Sequence, residues 1–395
     1  MIPVLDSAQM READRVTIAE LGMPSLALME MAAAAVTEAL LARFQDAHRV
    51  VVACGGGNNG GDGLAVARQL RSRGMNAVEA WLLVGEEKLS ADAAVQLRLA
   101  RAFGVKVTTA TQELEAFGAA LANAEVVVDA LFGTGLDRPL TGRLAEAVAR
   151  INACAAPVVA VDVPSGLAGS AAQVIGEAVE AALTVTFAAP KVAHVLPPAC
   201  WRCGEVAVAE IGIPHWVVEG AARLFLLEQG DVAAWLPRRA VDAHKGHFGH
   251  VCLVAGRFGR AGAAALAARA AVVSGAGLVT VCLPAAAVNA VQALVPEAMV
   301  NALEGSGEGG VEEGLAEALA RATAVAAGPG MGVGGAAGAT LAALLARWEG
   351  PLVLDADALT LLAGRLETLA SRREVPVLTP HPAELARLLG WETGE

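Results

Sequence analysis

Apolar runs of strand length alternate with helical stretches along most of the chain. Val50-Val51-Val52-Ala53, Val78–Val84, Val126–Asp129, Val158–Asp162 and Leu183–Phe187 are short and apolar nearly throughout. Continuous apolar runs bounded by turns predict strands buried on both faces of a parallel sheet. Between them the spacing predicts helices at Leu26 to about Phe44 and at Leu64–Arg73. Ser7 is placed to cap a first helix running through Glu20, which Met23-Pro24 then breaks. The pattern closes near Glu210–Pro214, passes through a connection to Arg239, and restarts at His244-Lys245-Gly246. Further strands are expected at Val251–Ala255, Leu278–Leu283, Thr323–Ala327, Pro351–Leu354 and Val375–Leu378. Two α/β domains follow, 1–220 and 221–395, and because their motifs differ they are not a repeat.

Composition sharpens this picture in three places. At 395 residues the chain is long for one domain. It is 55% hydrophobic, but mostly through Ala and Val, and no uninterrupted apolar run reaches membrane-spanning length. Asp6 and Gln9 interrupt the stretch where a secretion signal needs an apolar block, so a cytoplasmic protein off the membrane is expected. The net charge of −12 and the lack of a basic stripe argue against a nucleic-acid partner. In so acidic a chain, phosphate must be met by local backbone N–H groups rather than bulk charge. Of the six cysteines, Cys200 and Cys203 have metal or redox spacing, but no second Cys or His pair completes a zinc site.

The strongest local signal is Cys54-Gly55-Gly56-Gly57-Asn58-Asn59-Gly60-Gly61-Asp62-Gly63, after a strand and before a helix. Glycines at such a turn permit positive φ and close approach of backbone to ligand, and the helix N-terminus suits phosphate. A tight turn with Asp62 as cap is the bland alternative, but caps do not require six glycines. Three further turns end strands: Asp129 leading to Leu131–Pro139, Asp162-Val163-Pro164-Ser165-Gly166, and Ala188-Ala189-Pro190-Lys191. Carboxyl ends of parallel strands are where open α/β sheets bind ligands. Alone, Asp129 could satisfy strand-end N–H groups, Ser165 could be a turn residue and Lys191 a solvated surface lysine. Together Asn59, Asp129 and Ser165 with nearby carbonyls make a hard-oxygen set, suited to an alkali or alkaline-earth cation rather than zinc.

These three motifs, in this order, resemble the NAD(P)H-hydrate epimerase domain over roughly residues 1–215. The resemblance implies a Rossmann-like three-layer fold and a homo-oligomer. It implies that hydrated NADH or NADPH contacts Asn58, Asn59, Gly60, Gly61 and Asp62, and Gly133, Thr134, Gly135, Leu136, Asp137, Arg138 and Pro139. One potassium ion per domain would fall on Asn59, Asp129 and Ser165. The acidic residue at the reacting nicotinamide would be Asp162, with Lys191 as helper. The chemistry is sensible: hydration puts a hydroxyl at C6 next to ring N1. Such a centre can lose its hydroxyl through an iminium-like cation, or open its ring, and re-form from the other face. Either path needs a carboxylate to stabilise charge and a proton shuttle.

In the second half, Gly256-Arg257-Phe258-Gly259-Arg260-Ala261-Gly262, Ala327-Gly328-Pro329-Gly330-Met331-Gly332, Asp355-Ala356-Asp357 and His381-Pro382-Ala383-Glu384 each follow a strand. Any one could be a simple turn, with Asp355 and Asp357 as cap and first-turn charge. As a set over about 240–395 they resemble the ADP/ATP-dependent NAD(P)H-hydrate dehydratase domain, which implies a ribokinase-like fold, with ADP or ATP as co-substrate. By family position Ala263, Gly332 and His381 contact the hydrated cofactor. The family's later Gly-Thr-Gly-Asp-type element does not occur before residue 395. An incomplete second domain with little or no dehydratase activity is therefore expected. Three other readings compete: a plain NAD-dependent oxidoreductase, a ribokinase-type small-molecule kinase, and a non-catalytic scaffold. The first wants an acidic residue at the end of the second strand, whereas Glu79 lies at its start.

Overall fold

The structure is a computed structural model. It describes residues 1–395 apart from Gln112, Asp137, Pro237, 304–307, Ser371 and 394–395, with 308–312 described by backbone only. The chain divides into two compact units, Met1–Pro237 and Arg238–Glu395.

The first unit opens with β1 (Ile2–Val4) and continues with β2 (Arg49–Cys54), β3 (Ala77–Leu82), β4 (Lys106–Thr109), β5 (Val126–Ala130), β6 (Val158–Val161), β7 (Leu183–Phe187), β8 (Glu205–Ala209) and β9 (Leu224–Leu226). Seven of these form one sheet in the order β4-β3-β2-β5-β6-β7-β8, with every neighbouring pair parallel. Successive side chains of a strand point to opposite faces. Val50, Val52, Val126 and Val128 accordingly join one core, while Val51, Ala53 and Val127 join another. Helices cover both faces, giving the expected Rossmann-like three-layer architecture. The chain runs outward from β2 to β4 and returns to β5, so the strand order reverses between β2 and β5. The carboxyl ends beside that switch point form a crevice.

The second unit holds β10 (His250–Val254), β11 (Leu278–Pro284), β12 (Met299–Leu303), β13 (Ala324–Ala327), β14 (Leu352–Leu354) and β15 (Val377–Leu378), ordered β12-β11-β10-β13-β14-β15 and again parallel. Cys252 and Val254 face one core, Leu253 and Ala255 the other.

Several local expectations need correction. The first helix is Ser7–Arg15, capped by Asp6 rather than Ser7. The Asp6 carboxylate accepts the N–H of Ala8 and Gln9, while the Gln9 side chain accepts that of Asp6. A wider π-helical turn, Val16–Glu20, follows it. The helix expected at Leu64 starts at Asn58. The units part after residue 237, not 220, because β9 pairs antiparallel with β1 and ties residues 224–226 to the first unit. The helix Ser25–Arg43 is long and apolar enough to cross a membrane by length and composition. In this fold its Leu28, Ala32, Val36 and Leu40 are buried in the sheet core.

Candidate functional site

A cavity of about 570 Å³ opens at the crevice of the first unit, within the size range of small-molecule sites. Met10, Arg11 and Asp14 line it from the first helix, and Asn58, Asn59 and Asp62 from the helix Asn58–Ser72. The turn Leu131–Leu136, Asp162 and Lys191 complete it.

The glycine segment works differently from the expectation. None of Gly55–Gly63 adopts positive φ. What the fold requires there is a missing side chain. A Cβ on Gly55 would fall 1.9 Å from the Leu131 carbonyl oxygen, and one on Gly63 would fall 2.4 Å from the Ala130 Cβ. The helix is thereby drawn against β5, and its first N–H groups, which have no partner within the helix, sit at the cavity. Asp62 lies inside this helix and is buried, so it does not cap it. Its carboxyl is pushed well above the ordinary range by burial, reinforced by Asp162, Asp14 and Asp92. The Asn58 amide oxygen accepts from the Ser90 hydroxyl at 2.8 Å, whereas the buried Asn59 Nδ2 has no hydrogen-bond partner among the described residues.

Asp162 follows β6 with φ 65°, and Ala188 follows β7 with φ 63°. Sparsely populated backbone of this kind costs about 1–3 kcal/mol and gathers at functional sites. Lys191 is fully buried, and its Nζ donates to Asp162 Oδ1 at 2.7 Å, Thr186 Oγ1 at 2.8 Å and the Phe187 carbonyl at 2.9 Å. Thr186 also donates to Asp162 Oδ1 at 3.0 Å. Burial opposes ionisation of Asp162, but the Lys191 charge and these hydrogen bonds outweigh it and hold the carboxyl below its usual value. The second oxygen, Oδ2, faces Gly133: a Cβ built there would lie 3.3 Å from it and 3.2 Å from Asn59 Oδ1.

Asp129 and Ser165 lie beneath the cavity rather than in its wall. Asp129 is fully buried and accepts from Ser165 Oγ at 2.6 Å, Ser165 N–H at 2.8 Å and Leu131 N–H at 3.3 Å. Ser165 Oγ in turn accepts from the Phe132 N–H at 2.9 Å. The pair therefore ties down the turn that forms the cavity floor. Burial, only partly offset by these hydrogen bonds, raises the Asp129 carboxyl to about 6, and no cationic side chain among the described residues pairs with it.

Of the remaining residues, Gly133, Thr134, Gly135 and Leu136 line the cavity. Gly60 and Gly61 stand behind its wall and Arg138 and Pro139 outside it, while Asp137 lies outside the described residues. Sequence reasoning missed Thr186 and Asp14. Asp14 had a signal: it falls on the same helix face as the buried Ser7 and Met10, where a charge is out of place.

In the second unit the strand-end turns meet through backbone and through the carboxylates of Asp355 and Asp357. Gly256 N–H donates to the Pro329 carbonyl at 2.8 Å, and Gly332 N–H donates to Asp357 Oδ2 at 2.8 Å. Thr379 Oγ1 donates to Asp355 Oδ1 at 2.8 Å, and a Cβ on Gly330 would lie 2.9 Å from that of Ala263. His381 caps the helix Pro382–Leu389, its Nδ1 accepting the Ala383 N–H at 3.2 Å.

Comparisons with known proteins agree with both halves. Residues 25–193 match the family described as YjeF-related protein N-terminus, and residues 251–394 the family described as NAD(P)H-hydrate dehydratase. The bifunctional NAD(P)H-hydrate repair enzyme Nnr of Moorella thermoacetica is 38% identical, over 98% of this chain and 75% of its own length. That of Coxiella burnetii is 38% identical over 100% and 77%. The NAD(P)H-hydrate epimerase of Limosilactobacillus fermentum is 41% identical over 52% of this chain and 95% of its own. Among solved structures, the yeast protein ynu0 covers 57% of this chain and 97% of that one, at 22% identity and a TM-score of 0.48. The ADP/ATP-dependent NAD(P)H-hydrate dehydratase of Bacillus subtilis covers 41% and 55%, at 31% identity and a TM-score of 0.34. Matched along nearly its whole length by relatives of one kind, the chain belongs to the bifunctional NAD(P)H-hydrate repair enzyme family, with an epimerase first half and a dehydratase second half.

Proposed function

We propose that the first cavity inverts C6 of hydrated NADH and NADPH, with Asp162 as the carboxylate at the reacting ring. One observation carries this reading. A carboxylate kept ionised by a buried lysine turns its other oxygen into a cavity walled by a helix N-terminus. When the C6 hydroxyl leaves, positive charge develops over C6 and N1, and a fixed, desolvated carboxylate stabilises it. Lys191 is a positioning residue: its three donors are spent on Asp162, Thr186 and Phe187, so it holds the charge on Asp162 rather than reaching substrate. The N-terminal turns of the helix from Asn58, with the orphaned Asn59 amide, suit the phosphates and polar edges of the dinucleotide. The turn Gly133–Leu136 covers it, and Asp137, Arg138 and Pro139 extend that contact by the family resemblance.

The donor set also fits a potassium ion. Asp129 is a buried carboxylate whose charge no described side chain neutralises, and Asn59 and Ser165 add neutral oxygens. One negative charge among oxygen donors suits a monovalent cation better than a divalent one. Bound there, potassium would neutralise Asp129 and brace the turn.

For the second unit the resemblance supplies ADP or ATP, with Ala263, Gly332 and His381 as contacts to the hydrated cofactor. In that family, phosphate passes to the C6 hydroxyl of the S form and then leaves with it. A place in the cytoplasm, away from membrane and nucleic acid, completes the reading, supported by six free cysteines and a net charge of −12, while a homo-oligomer follows from the family resemblance alone.

The test of the first cavity is to add the purified chain to mixed R and S hydrated NADH with an intact S-specific dehydratase, in potassium and in choline chloride. The R form is expected to vanish faster than its spontaneous rate, and faster in potassium. An R decay no quicker than in buffer alone would end the proposal.

A further inference from the structure

Epimerisation at C6 asks for two things from the protein, a fixed negative charge and a group that gives and regains a proton. Asp162 serves only the first. Its Oδ1 is held by Lys191 and Thr186 and it stays ionised, so it has no proton to give near neutral pH. Lys191 is buried behind it with every donor engaged. Two other carboxyls line the same cavity, Asp62 and Asp14. Asp62 is almost wholly buried inside its helix, with only 8% of its surface open to the water that must enter and leave.

Asp14 is differently built. The chain after β1 bridges Leu5 to Lys191, and the Leu5 N–H donates to the Pro190 carbonyl at 2.9 Å. The Asp6–Gln9 capping box then fixes the helix Ser7–Arg15. Asp14 thus reaches the cavity from an element anchored at Lys191 itself. It is half-buried, and no described residue donates a hydrogen bond to its carboxyl. A carboxyl partly desolvated without a partner weakens the fold, which makes sense where the chemistry needs it.

Resting on the epimerase reading above, we infer that Asp14 is the second catalytic residue of the first cavity, the acid–base group that serves the C6 hydroxyl while Asp162 holds the opposing charge. Its carboxyl gives a proton to the C6 hydroxyl oxygen. The C6–O bond breaks, the electron pair leaves with water, and the positive charge spreads over C6 and N1 beside Asp162. Water then adds to the other face of C6 and its proton returns to the Asp14 carboxylate, so nothing is consumed. The surroundings set the two carboxyls apart, as in other sites where one acid works neutral and its neighbour ionised. Burial raises Asp14 to about 6, Lys191 opposes this and Asp162 adds to it. Asp62 and Arg11 are the other charged groups on the cavity walls.

The experiment compares full-length wild type, Asp14→Asn and Asp14→Glu across about pH 5 to 8, following loss of R hydrated NADH in the coupled assay. Because the proton-bearing form starts the reaction, the wild-type rate should fall as pH rises past about 6. Asp14→Asn should be slower by about a hundredfold and lose that pH limb, and Asp14→Glu should recover part of both. Thermal melting checks that each variant is folded, and titration with NADH, read by protein fluorescence, checks that the cavity still binds dinucleotide. Folded, NADH-binding Asp14→Asn that stays within about threefold of wild type, or keeps the limb, overturns the inference. A wild type that does not epimerise overturns the underlying reading instead.

Discussion

Each unit gathers strand-end turns where its strand order reverses, and the two build them from different materials. In the first, three carboxyls, Asp162, Asp62 and Asp14, meet at one otherwise largely apolar cavity, with Lys191 buried behind them. In the second, backbone predominates: Gly256, Gly328, Gly330 and Gly332 all have positive φ, and Asp355 and Asp357 accept from Thr379 and from the Gly332 N–H. The difference follows the chemistry of each half. Inversion at C6 as proposed above moves a proton and a transient positive charge, which needs ionisable groups in a dry wall. Phosphate handling needs clustered N–H groups and close approach, which glycine turns supply. A parallel sheet offers the same strand-end position to either solution.

If the first crevice depends on buried charge, removing the compensating cation should cost most. Lys191→Met keeps the length of the side chain but leaves Asp162 unpaired, and the first unit should lose about 3–5 kcal/mol in urea unfolding of the full chain. A midpoint equal to wild type would mean the ion pair is not a structural centre of that unit. A smaller effect should follow from altering the backbone of the second crevice. Gly332 has φ 87°, and a Cβ there would press on Arg257 at 3.1 Å. Gly332→Ala should destabilise the second unit by about 1–2 kcal/mol and leave epimerisation at the wild-type rate. A matching fall in epimerisation would blur the division between the two crevices.

The central strands were legible in the chain because parallel strands buried on both faces are apolar nearly throughout, as β2, β5, β6 and β7 are. Of the strands that escaped, β4, β8 and β12 lie at sheet edges, where one side is open and residues such as Lys106, Glu205 and Asn301 are tolerated, and β1 and β9 pair only with each other. The helix start at Asn58 escaped because Gly60, Gly61 and Gly63 lower helix propensity. Close packing on Gly55 and Ala130 overrides that preference. Asp162 and Lys191 could be picked out because each follows a readable strand. That they meet in one buried pair could not, since it depends on β6 and β7 being neighbours. Asp14 stood on a helix read for its cap and its ends, and only the docking of Leu5 beside Lys191 brings it to the cavity.

The decisive measurement is the epimerisation rate of Asp162→Asn, an isosteric change that removes the charge, against wild type in the coupled assay with both proteins shown to be folded. A fall of about a thousandfold, roughly 4 kcal/mol of transition-state stabilisation, is the predicted result. A folded Asp162→Asn that consumes the R form at the wild-type rate would contradict the account.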